Sequence, residues 1–264
     1  MNYIELNKLS HLHDGTNIIF CHTDHLLAEF NYIRSLPNNV VLITANSDEG
    51  ITDHHVSLVP NNVAVWFAVN ALSRDSRLVP LPLGLGNTQV SVRPGHGVGY
   101  FERGTEIESL LRRPLHQEPT KKLYANFTIG TNPNHRTPIK IICENLSHVD
   151  WQEPNLTFRD FFDQILNYQM VVCPMGNGVD THRLWEVLYT GRIPVTIKGG
   201  DFKIYDLYEK LPIIILDSPD DLYNLSLIES KYNLILSTKY DQDLLDCNWW
   251  INQIINTSNK IKNQ

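Results

Sequence analysis

The stretch best suited to chemistry runs Val171-Val-Cys-Pro-Met-Gly-Asn-Gly-Val-Asp-Thr-His-Arg-Leu-Trp-Glu-Val-Leu-Tyr-Thr-Gly-Arg-Ile-Pro-Val195. It reads as a buried strand, a turn holding Gly176, Asn177 and Gly178, a helix opening near Asp180 or Thr181, a stop at Gly191 and a second strand. Glycine lets the turn come close to a ligand, and a helix start offers unpaired N–H groups and a partial positive charge suited to a diphosphate. His182 and Glu186 are four apart and Arg183 and Glu186 three apart, so all three can share a helix face at the mouth of the site. Arg183 can neutralise phosphate, and Glu186 can accept hydrogen bonds from two ribose hydroxyls. A blander reading has the glycines only shaping a turn and Arg183 pairing with Glu186 on a solvated face. The joint occurrence of strand, turn, His-Arg and a Glu one turn later favours the ligand reading.

Two loops nearer the N-terminus carry ionisable groups. Phe20-Cys-His-Thr-Asp-His25 follows the first apolar run and Asn46-Ser-Asp-Glu-Gly-Ile-Thr-Asp-His-His55 the second. Asp24, Asp48 and His22 are the candidate catalytic bases, because a carboxylate or imidazole at a strand end can point into a crevice. Asp24 can instead cap a helix starting at His25, and Asp48 can close an Asx turn. His22, Asp24, His25, Asp53, His54 and His55 also raise a metal-dependent hydrolase as an alternative. Their spacing fits none of the compact zinc motifs, and His54 and His55 cannot easily face one ion together, so no metal is expected.

Short apolar runs position these loops: residues 17–21, 40–44, 63–67 and 78–82, then 122–127, 169–173, 193–197 and 212–216. Each has strand length, and helical spacing appears between them at 26–36, 158–166, 182–190 and 220–229. That alternation predicts an α/β chain of βαβ units with parallel sheets. The region 93–120, rich in Gly, Pro and charge, reads as a junction. The expected domains are 1–105 and 120–245, followed by a C-terminal helix in 246–264 anchored by Trp249 and Trp250 and packed back toward the first domain.

At 264 residues, with 42% hydrophobic and 19% charged side chains, the chain can bury a substantial core. Its formal charge of −7, without a basic tract, argues against nucleic acid or anionic lipid as partners. Cys21, Cys143, Cys173 and Cys247 are scattered, three of them in apolar runs, and are read as reduced core residues. No cationic start with an apolar stretch opens the chain and no apolar run reaches the roughly 18 residues of a transmembrane helix, so a cytoplasmic protein without a transmembrane segment is expected.

The segment from Pro174 to Val195 resembles the nucleotide-sugar-binding motif of the exostosin-like glycosyltransferases, inverting enzymes of the GT-B fold. Leu123-Tyr-Ala-Asn-Phe-Thr with Asn132-Pro-Asn-His-Arg136 is similar to the strand and loop that open that family's donor domain, and Leu211-Pro-Ile-Ile-Ile-Leu-Asp217 to a later strand. The resemblance covers residues 122–230 and extends weakly to Trp66-Phe-Ala-Val-Asn70 and Leu81-Pro-Leu-Gly-Leu-Gly86. It implies two Rossmann-like domains facing across a cleft, the first shorter than usual. It also implies donor contacts by His182, Arg183 and Glu186, with the helix start at the diphosphate and Arg136 reaching the phosphates. Transfer from a nucleotide sugar to a saccharide or glycoconjugate acceptor, as in polysaccharide biosynthesis, is the implied activity, with no cofactor beyond the donor. A nucleotide-sugar-binding protein without catalysis is the alternative from a different class.

Overall fold

The computed structural model describes residues 2–87, 108–112 and 118–262. The chain is α/β, with two parallel sheets. The first holds β1 (Ile18–His22), β2 (Val40–Ala45), β3 (Val63–Ala68) and β4 (Leu78–Pro80) in sequential order. β2 is buried throughout, as expected of a strand covered on both faces, and its one polar residue, Thr44, accepts the Trp66 indole N–H. β4 stops two residues short of the predicted run, where Pro80 and Pro82 have no N–H to give a ladder.

The second sheet holds β5 (Lys121–Ala125), β6 (Val149–Trp151), β7 (Tyr168–Val172), β8 (Ile193–Ile197) and β9 (Ile214–Leu216). Its order is β6-β5-β7-β8-β9. The chain therefore reverses its direction of travel between β5 and β7, and the loops leaving those two strands diverge to opposite faces. That divergence opens a crevice beyond their carboxyl ends, where open α/β sheets bind ligands. The first sheet has no such reversal.

Several elements depart from expectation for local reasons. Arg136 lies on a helix, α4 (Pro133–Asn145), and not in a loop: the Asn132 side chain accepts from the His135 N–H and Pro133 occupies the first turn, where no donor is lost. The helix predicted at 220–229 is two pieces. A 3₁₀ turn at Pro219–Tyr223, boxed by Ser218 and Asp221, precedes α8 (Leu225–Ser237), capped by Asn224. The terminal helix α9 (Cys247–Lys262) starts after Asp246, whose carboxylate takes the Asn248 N–H. Most of the expected junction at 93–120 lies outside the described residues.

One apolar core crosses between the sheets. It joins Ile43, Phe67 and Leu81 of the first half to Tyr124, Phe161, Trp185 and Tyr208 of the second, and α9 adds Trp250 and Ile254 while packing on β2 and β3. Further bonds tie the halves beside this core. The Ile204 N–H donates to the Ala71 carbonyl at 3.0 Å. The Lys203 ammonium donates to the Asp75 carbonyl at 2.8 Å. All four cysteines are free and buried. Among the described residues no helix is long and apolar enough to cross a membrane.

Candidate active site

Helix α6 (His182–Tyr189) follows β7 by way of the Gly-rich turn, with Thr181 at its N-cap position. The turn closes on itself through a 3.0 Å bond from the Gly176 N–H to the Gly178 carbonyl. A Cβ on Gly178 would stand 2.6 Å from the Asn70 amide, so glycine is required here by the approach of β3's terminal loop. Asn70 itself has φ +52°, left-handed backbone that Asn tolerates, and so does Asn46 after β2, at φ +58°.

Asp180 is the knot of this region. It is 3% exposed, yet its carboxylate accepts from the Leu83 and Thr181 N–H groups at 2.8 Å, the Trp185 indole at 2.9 Å and the Tyr208 hydroxyl at 2.7 Å. Its own N–H donates to Asn70 Oδ1 at 2.9 Å. Burial pushes this carboxyl up to about 6, while the bonds from Leu83, Tyr208, Trp185 and Thr181 hold it lower than burial alone would. At neutral pH it is a satisfied anion that sews the two halves together. The next motif residue continues the seam: His182 Nδ1 lies 2.8 Å from the Gly84 carbonyl, which can only accept, so Nδ1 carries the proton.

The two arginines converge at the switch point between β5 and β7. Arg136 donates to the Met175 and Thr128 carbonyls at 2.7 Å and to the Pro174 carbonyl at 3.2 Å, and burial lowers its pKa. Asn132 adds a 2.9 Å bond to the Gly176 carbonyl. Arg183 donates to the Asn126 carbonyl at the end of β5, and its guanidinium lies 3.7 Å from the Phe161 ring centroid. Glu186 sits beside it, with Oε2 3.9 Å from Arg183 Nε, but is only 1% exposed. His182 and Glu186 therefore do not open together onto one mouth: His182 reaches to the first half, while Arg183 and Glu186 face β5.

On the opposite wall, Asp24 lies inside a 3₁₀ turn (Thr23–His25), while the N-cap position of the following helix is His25; the Asp24 carboxylate accepts from Ser47 Oγ, tying the ends of β1 and β2. His22, the last residue of β1, meets Phe20 edge-on at 5.9 Å. Asp48 is exposed, and its Oδ2 accepts from Asn177 Nδ2 at 3.0 Å. A base candidate from the first sheet thus touches the donor-loop candidate of the second, 129 positions away in sequence. Of the residues raised for a metal hydrolase, Asp53 accepts from Ser73 Oγ at 2.5 Å, and His55 closes a capping box with Thr52.

Ser47, Asn70, Asn126, Asn132, Phe161 and Tyr208 complete the site; none was named as a site residue from the sequence, although Asn70, Asn126 and Asn132 lie in segments of the family resemblance and Ser47 in a candidate base loop. Asn46 and Asn70 had a usable signal, an Asn directly after an apolar strand run; Tyr208 had none. No protein-family model and no curated protein matches the chain.

Proposed function

We propose that the chain is an inverting glycosyltransferase of the exostosin-like, GT-B type, taking a nucleotide sugar at the β5/β7 crevice and a saccharide acceptor against the loops that follow β1 and β2. The observation that carries this reading is the 3.0 Å contact between Asp48 and Asn177. It puts a solvent-reachable carboxylate beside a Gly-rich turn at a helix start, which is what single displacement needs: a base on the acceptor hydroxyl facing the bound anomeric carbon. Asp48 is preferred over Asp24 and His22 because its carboxylate bonds directly to that turn at Asn177.

The leaving diphosphate is stabilised by Arg136, Arg183 and the start of α6. Both guanidiniums are held by main-chain carbonyls at the switch point, which fixes two cations where the phosphates would lie. Asn177 positions the acceptor side by its grip on Asp48. Glu186, as the ribose acceptor, requires Arg183 to move toward the phosphates and uncover it.

A thermal-shift screen of UDP, GDP, ADP and dTDP, and of their sugar conjugates, tests the donor site. A ligand of the native state raises Tm in proportion to RT ln(1 + [L]/Kd), and at least one nucleotide is expected to do so. If none does, the proposal fails; if one binds but no sugar is transferred to any offered saccharide, the non-catalytic reading replaces it. A second result discriminates the clamp. Arg136→Lys and Arg183→Lys keep the charge but lose the planar fork, and each is expected to weaken binding of that nucleotide by about tenfold or more, read by calorimetric titration. Wild-type affinity in both variants removes the arginines from the phosphate site.

A further inference from the structure

A cavity lies away from the crevice, at the free edge of the second sheet beside β6. It is an open depression of about 720 Å³, a volume within the range of small-molecule sites. Trp151 lines it with a fixed indole: Nε1 donates to Glu153 at 3.2 Å, Phe127 meets the ring edge-on at 5.1 Å, and the Lys140 ammonium stands 5.2 Å from the ring centroid. Its floor includes a braced polar triad, in which Lys121 donates to Asp150 and to the Tyr168 hydroxyl at 3.0 Å and that hydroxyl donates to Asp150 at 2.8 Å.

Two amides complete the lining. Gln152 takes the Tyr124 hydroxyl on its oxygen at 2.9 Å, which leaves its –NH₂ without a partner among the described residues. The Gln164 side chain likewise has none among them. The site therefore offers an aromatic plate, unused amide donors, and acceptors of fixed direction.

We infer that this cavity binds a neutral saccharide chain. A sugar has apolar C–H faces that lie on an aromatic ring and hydroxyls that donate and accept at once, matching an indole flanked by amides and a carboxylate. Anions are disfavoured, since Asp150 and Glu144 outnumber Lys121 in the lining. An added peptide strand is disfavoured too, because β6 is only three residues long. Hydrogen bonds link the wall of this cavity to the donor side. Gln152 and Glu153 accept from Asn126 through their carbonyls at 3.1 and 3.0 Å, and the Asn126 carbonyl holds Arg183.

The inference rests on the proposed saccharide acceptor and extends it: the cavity holds a remote part of the chain whose end is extended at the crevice. Saturation-transfer NMR and calorimetric titration with maltohexaose, cellohexaose, xylohexaose and chitohexaose test it on the full chain. At least one is expected to bind with a millimolar Kd or tighter. Trp151→Ala is expected to weaken it by about tenfold or more, Gln164→Ala by a smaller factor, and Trp151→Phe, which keeps a plate, is expected to retain most of the affinity. Binding of none of the four, or unchanged binding in a folded Trp151→Ala, overturns the inference. Nucleoside diphosphate titrations run alongside keep the two readings apart: nucleotide bound without saccharide removes only this site, whereas saccharide bound without nucleotide removes the transferase.

Discussion

Asp48→Asn is expected to lower sugar transfer by about 10²- to 10⁴-fold while leaving nucleotide affinity and folding near wild type. The amide has the shape of the carboxylate, and its oxygen can still accept from Asn177 Nδ2, now 3.0 Å from Asp48, so the loop stays in place. Only the ability to take a proton from the acceptor hydroxyl is lost. The measurement is release of nucleoside diphosphate from the nucleotide sugar found in the binding screen, with and without acceptor saccharide. Asp24→Asn and His22→Gln, made in parallel, should retain transfer within about tenfold of wild type, a range below the loss of a general base. If Asp24→Asn shows the large loss and Asp48→Asn does not, the base is the carboxylate held by Ser47, and the Asn177 contact only positions the loop. Wild-type rates in all three variants would remove the base from this wall.

Asp180→Ala is expected to cost about 3 to 5 kcal/mol of stability, because it strips an acceptor from buried donors that have no other partner nearby. The Leu83 N–H, the Trp185 indole and the Tyr208 hydroxyl would all be left facing a cavity. Against a typical total of about 5 to 15 kcal/mol, that leaves a marginal protein. Asp180→Asn is the gentler test, since it keeps the volume and one carbonyl oxygen but turns an –NH₂ toward existing donors. It should unfold at distinctly lower denaturant with an unchanged m-value.

The pH dependence has a definite sign. A carboxyl raised to about 6 in the folded state binds its proton more readily there than in the unfolded chain, whose value is near the ordinary 3.9. Its contribution to stability therefore falls as pH rises from about 4 to about 6 and is flat above. The wild-type minus Asp180→Asn difference across that window isolates this slope from the carboxylates whose pKa values are lowered, such as Asp14 and Asp75. A difference that is constant with pH would mean that Asp180 ionises as an ordinary carboxylate.

The parallel α/β architecture was legible because its strands are short apolar runs bounded by turn residues, and β8 begins and ends where the pattern places it. The strand-turn-helix around Gly176 and Gly178 was legible for the same local reason. Asp180 was read as a donor residue because it opens the helix. Its actual partners, Asn70, Leu83 and Tyr208, lie at sequence distances from which no periodicity reports. The shared face of His182, Arg183 and Glu186 was a sound geometric expectation that burial overrode. Residues Leu184 to Leu188 of α6 are all buried, so spacing along the helix does not decide which side meets solvent. Helix α4 was missed because Pro133 and Pro138 look like breakers, although an Asn followed by Pro is also how a helix starts. Contacts across the crevice, Asp48 with Asn177 above all, exist only once both sheets are assembled.

The continuous core and the Asp180 knot also bear on how such a molecule can be altered. Two halves that met only at a polar rim could be traded between relatives as cassettes, one supplying the donor preference and the other the acceptor. Here Trp185 and Tyr208 bond to the same carboxylate that takes the Leu83 N–H, and α9 returns from the end of the chain to cover β2 and β3. A transplanted second half would bring its knot without the strand ends it fastens. Changes in what the crevice binds must therefore come residue by residue from the loops around it, with the body beneath them kept whole.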